Sequence, residues 1–81
     1  MKTTAYFRSM KLRADRAAIS DAWIERVIAY PDSRVVQSDG RIRLWARISE
    51  MDNRFLRVIL LEIGETVHNA FFDRRFKHNE S

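Results

Sequence analysis

Apolar and polar residues alternate strictly along Arg41–Ile48. Ile42, Leu44, Ala46 and Ile48 fall on one side of the chain, and Arg41, Arg43, Trp45 and Arg47 on the other. Alternate residues of an extended chain point to opposite faces, so this pattern predicts a half-buried strand with one face turned to a core. Between Ser20 and Pro31 the spacing changes to threes and fours, and Trp23, Ile24, Val27 and Ile28 form the apolar stripe of a helix. Ser20 is a good N-cap, and Asp21 puts negative charge where the helix dipole favours it. Pro31 ends the helix, because the residue before a proline is pushed out of the helical region.

The same patterns divide the rest of the chain. Thr3–Arg8 is rich in β-branched and aromatic residues and predicts a short first strand. Phe7, Met10, Ala14, Ala17 and Ala18 predict a first helix over about Ser9–Ala18, broken at Ile19-Ser20. Arg34–Gln37 reads as a short strand, and Ser38-Asp39-Gly40 as a hairpin turn that accepts positive φ angles. After a polar turn at Glu50–Asn53, Phe55–Glu62 is apolar on both faces: Leu56, Val58 and Leu60 on one, Phe55, Ile59 and Leu61 on the other. A strand covered on both sides belongs at the centre of a sheet. Ile63-Gly64-Glu65 turns again, Thr66–Phe72 is the last strand, and a polar tail frays beyond Phe76.

The expected fold class is α+β, with two N-terminal helices packed on one face of an antiparallel sheet of four to five strands, in a single domain over 1–81. Helices cover only one face of such a sheet. The other must be covered by strand curvature, by the C-terminal tail or by a partner chain, a homodimer among the options.

Composition narrows the class. With 46% hydrophobic and 32% charged residues, the chain supports one small core and a solvated exterior, which argues against disorder. Cysteine is absent, so disulfides and thiolate metal sites are excluded, in keeping with a reducing cytoplasm. No apolar run approaches the ~20 residues needed to cross a bilayer, so a soluble, cytoplasmic protein without a membrane partner is expected. The formal net charge is +4, from 15 basic and 11 acidic residues. Twelve of the cations are Arg, which suits bidentate contacts to phosphate or carboxylate and points to RNA, DNA or an acidic protein. His68 and His78 are the only histidines, and the two glycines stand singly in turns. Neither a metal cluster nor a glycine-rich phosphate loop is therefore expected, and no cofactor.

A strand, two helices and a meander of strands is similar in layout to the RelE/ParE-like toxins and to the BrnT toxins. More specifically, Ile19–Ile28, Pro31, Gln37–Arg43, Leu56–Ile59 and Gly64–Phe76 resemble a DUF4258-like family of small bacterial proteins, a domain of unknown function. The likeness covers most of residues 6–77, and the closing segment is its most specific part. Related patterns often carry a His in the first helix; here the stretch is Arg8-Ser9-Met10-Lys11.

The toxin likeness implies cleavage of mRNA on the ribosome, in which a 2′-OH attacks the neighbouring phosphate. Such a site needs a base, an acid and cations for the developing charge. His68, Arg43 and Arg74 are the candidate catalytic residues, with Tyr6 and Glu62 as alternatives for acid–base work. Arg41, Arg47, Arg57, Arg75 and Lys77 are candidate nucleic-acid contacts, and Trp45 a platform on which a base could stack. Each has a plainer reading: a solvated arginine face shielding Trp45, a structural histidine, a surface Arg74-Arg75 pair balanced by Asp73, and Phe76 anchoring the tail. The implied partners are RNA or the ribosome, and an antitoxin or another acidic protein. Two further readings are a non-catalytic interaction domain and a ParE-like poison of a protein target such as gyrase.

Overall fold

The computed structural model describes residues 1–13, 17–61 and 66–77. The expectations that fall on Ala14, on Glu62, on the turn Ile63-Gly64-Glu65 and on His78 lie outside the described residues. The elements are β1 (Lys2–Thr3), α1 (Ala5–Lys11), α2 (Asp21–Ala29), β2 (Ser33–Val36), β3 (Ile42–Ile48), a 3-10 turn (Ser49–Met51), β4 (Arg54–Leu60) and β5 (Thr66–Phe72). They form an α+β fold whose five-stranded sheet runs β1-β5-β4-β3-β2.

The sheet is mixed rather than antiparallel: β1 pairs with β5 in parallel, Lys2 opposite Thr66 and Thr3 opposite Val67. The first strand is also much shorter than the pattern predicts, because the helix starts early. The Thr4 side chain accepts from the Phe7 N–H at 3.0 Å and so caps α1, which takes Tyr6, Phe7 and Arg8 out of the strand. The start of α2 follows the sequence reading, with the Ser20 hydroxyl oxygen accepting from the Ala22 N–H. Lys11 joins the two helices, donating to the Ile19 carbonyl and lying 3.5 Å from the Asp21 carboxylate.

The core lies between the helices and one face of the sheet. Phe7, Ile19, Ile24 and Val27 meet Ile42, Leu44, Ala46 and Ile48 of β3, Leu56, Val58 and Leu60 of β4, and Val67 and Ala70 of β5. β4 is the central strand of the sheet, as its two apolar faces require. The β3–β4 connection closes through Asp52 and Asn53, at φ 56° and 59°, residue types that tolerate the left-handed region better than most. Among the described residues no helix is long and apolar enough to cross a membrane.

One irregularity interrupts the β4–β5 ladder at His68. Ile59 pairs with Asn69 but Leu60 with Val67, so His68 is an extra residue in β5. The bulge sends Val67 rather than Thr66 into the core.

Candidate nucleic-acid interface

Strand register assembles the face that the helices leave open. Trp45 of β3 lies opposite Arg57 of β4, which in turn lies opposite Phe71 of β5. Arg43 lies opposite Ile59 and Val35, and Arg47 opposite Phe55. The alternation in β3 thus carries across three strands, because paired residues share a face. The Arg57 guanidinium sits between two rings, 5.5 Å from the Trp45 centroid and 5.1 Å from that of Phe71. The Arg47 guanidinium lies 5.0 Å over Phe55.

After β5 the chain folds back across this face. The Asp73 N–H donates to the Phe55 carbonyl at 2.9 Å, which fixes the crossing. One Asp73 oxygen accepts from the Trp45 indole N–H at 3.1 Å and lies 3.5 Å from Arg57 Nη1; the other accepts from the Arg75 N–H at 3.0 Å. Phe76 stacks on Trp45 with centroids 4.6 Å apart and meets Phe55 edge-on at 4.9 Å. Trp45 is consequently only 6% exposed, and the base platform expected from the sequence is occupied by the protein's own phenyl ring. Beside Phe76 lies a hollow of about 310 Å³ lined by Phe55, Phe72, Asp73 and Arg74 together with the β3–β4 turn.

The electrostatics of the face are unbalanced. The Nε atoms of both Arg43 and Arg57 are buried without a hydrogen-bond partner. Burial and the neighbouring Arg43 charge lower the pKa of Arg57, and Asp73 only partly opposes them. Burial works against ionised Asp73, but hydrogen bonds from Trp45 and the Arg75 N–H, the Arg57 charge and the Phe76 N–H outweigh it, so its pKa falls. Of the two neighbouring guanidinium groups, Arg57 faces the Asp73 carboxylate, and among the described residues Arg43 has no ion-pair partner.

The structure brings together Arg43, Trp45, Arg47 and Arg57, with Arg74, Arg75 and Lys77 exposed on or beside the crossing segment. Arg41 stands at the entrance to β3, 3.8 Å from Asp39. His68 is not part of this group. It lies toward α1, with Nδ1 3.3 Å from the Thr4 hydroxyl and its ring stacked on Tyr6 at 4.9 Å. The candidate acid–base residue and the candidate cations therefore occupy opposite sides of the sheet, and the alternative Tyr6 accompanies His68. Asp73 and Phe76 read along the sequence as a charge balance and a tail anchor. Their engagement of Trp45 and Arg57 joins positions far apart in the chain, and the only local hint was one acid beside two arginines. No protein-family model, curated protein or solved structure matches the chain.

Proposed function

We propose that the chain is an RNA-binding domain of RelE/ParE toxin type that takes single-stranded RNA on the open face of its sheet. The observation that carries this reading is the pair Arg43 and Arg57, neighbours on one sheet face and partly buried, with two orphaned Nε donors and a carboxylate, Asp73, against Arg57 alone. A buried donor without a partner is costly in a free protein and useful to one that receives phosphate oxygens. Arg47, Arg74, Arg75 and Lys77 extend the positive surface along which a phosphate backbone can run. The proposal assigns His68 no catalytic role, since it lies against α1.

The test is binding of a labelled single-stranded RNA, followed by fluorescence anisotropy over a series of salt concentrations. Arg43→Ala is expected to weaken binding about tenfold and to lower the salt slope by about 0.7, the value for one lost phosphate contact on a single strand. Binding unchanged by this substitution contradicts the reading. The toxin aspect is tested separately: inducible expression arrests growth and Arg43→Ala relieves the arrest, whereas unimpeded growth with soluble protein removes the toxin assignment.

A second reading, a docking face for an acidic protein such as an antitoxin, draws on the apolar neighbours Ile59, Phe71 and Val35, the last 47% exposed. It predicts that an acidic polypeptide competes for the face and that RNA does not.

A further inference from the structure

We propose that the segment Asp73–Phe76 occupies a nucleotide subsite in cis: Phe76 stands where a base stacks on Trp45, and Asp73 where its phosphate meets Arg57. This inference rests on the RNA-binding reading and specifies the site within it. An aromatic ring joined to an anion is the minimal chemical description of a nucleotide. The crossing segment presents both to one tryptophan, the phenyl ring to its face at 4.6 Å with 15° between the planes, and the carboxylate to its indole N–H at 3.1 Å. The same carboxylate lies 3.5 Å from the guanidinium that sits over the indole. Bases stack on aromatic side chains whatever their sequence, and guanidinium groups take phosphate oxygens in pairs.

Asp73 is an incomplete phosphate. It already accepts from Trp45, the Arg75 N–H and the Phe76 N–H and faces Arg57, and it does not reach Arg43. The Nε groups of Arg43 and Arg57 remain without acceptors while the segment is in place. A phosphate between the two guanidinium groups supplies oxygens to both, so a nucleotide satisfies donors that the segment leaves open. The segment and the RNA then compete for Trp45, and apparent affinity falls by the fraction of molecules in which Trp45 is covered.

The experiment compares the full chain with Phe76→Ala and, separately, Asp73→Asn, in a Trp23→Phe background so that Trp45 is the only indole. Folding is checked by circular dichroism. Without RNA, Phe76→Ala is expected to raise quenching of Trp45 by acrylamide. With a single-stranded oligonucleotide of uridylate or adenylate, it is expected to bind about three- to tenfold tighter than the parent, the range that release of one aromatic stack spans. Oligonucleotide binding should then quench Trp45 emission. Asp73→Asn, which keeps an acceptor for the indole and removes the competing charge, is expected to tighten binding in the same direction. Equal or weaker binding by Phe76→Ala, still dependent on Arg43, overturns the nucleotide subsite and leaves the RNA-binding face standing. Absence of RNA binding by every variant overturns the RNA reading and this inference together. So does preferential binding of polyglutamate by Phe76→Ala.

Discussion

Replacing Arg43 with methionine should stabilise the protein. The substitution keeps most of the aliphatic stem that packs on the sheet and removes the guanidinium. Three features of that group weigh against the folded state: its Nε is buried with no partner, no ion pair among the described residues compensates its charge, and it repels Arg57 on the next strand. An unsatisfied buried donor costs about 1–3 kcal/mol, and partial exposure of the side chain places this one near the lower end, so the expected gain is about 1 kcal/mol. For a domain of this size that corresponds to a rise in Tm of roughly 4–8 °C. Arg57→Met should act in the opposite sense, although it removes the same group from the same face. Arg57 faces Asp73 at 3.5 Å, and both side chains are largely buried, 19% and 14% exposed. Losing it leaves Asp73 without its facing cation; breaking a fully buried pair costs about 3–5 kcal/mol, and the hydrogen bonds Asp73 keeps, the relief of the orphaned Arg57 Nε, the residual exposure and the length of this contact reduce that to about 1 kcal/mol. Urea denaturation of the parent and the two variants, with matching m-values, measures both. A destabilised Arg43→Met, or the same sign for both substitutions, refutes the argument that Arg43 is held at a cost to stability. A residue retained against stability is the signature of a functional position.

Other consequences can be checked alongside. Glu50 receives both Nη groups of Arg26, at 3.0 and 2.9 Å, and its pKa is lowered to about 2 by the Arg26 hydrogen bonds, its own backbone N–H and Ser49. Its contribution is therefore complete above the unfolded carboxylate value of about 4.3 and is lost as pH falls toward about 2, and Glu50→Gln should flatten the acid limb of a stability–pH curve over that window. Thr4→Ala removes the cap of α1 and the hydroxyl beside His68, and should cost about 1 kcal/mol in denaturant unfolding. Leu56→Ala opens a cavity in the fully buried centre of β4 and should cost about 2–5 kcal/mol, a large part of the stability of so small a domain.

The elements most legible in the sequence are those whose signals are local. α2 begins after Ser20 and stops before Pro31 because cap and breaker act within a turn, and β5 covers Thr66–Phe72 as its pattern predicts. β3 keeps its alternation because one face is buried by the core. The N-terminus reads wrongly because β-branched and aromatic residues at Thr3–Arg8 favour a strand, while the Thr4 cap and burial of Phe7 favour a helix. The parallel pairing of β1 with β5 joins opposite ends of the chain and leaves no local trace. The same holds for the site. Arg43, Trp45, Arg47 and Arg57 share a face by register, which alternation anticipates. Alternation from Ala70 already sets His68 on the helix side, across the sheet from the cations, whereas its contacts with Thr4 and Tyr6 and the return of Phe76 onto Trp45, which closes the expected platform, are tertiary events.

The central claim is that the open sheet face receives RNA through Arg43 and Arg57. The arginine Nε–Hε resonances report this directly in a titration of isotope-labelled protein with a single-stranded oligonucleotide. The account predicts that the Nε–Hε signals of Arg43 and Arg57 shift together and saturate at the same RNA concentration, along with the Trp45 indole N–H, while those of Arg8 and Arg26 on the helix side stay in place. Saturating shifts on the helix side, with Arg43, Arg57 and Trp45 unmoved, would contradict it.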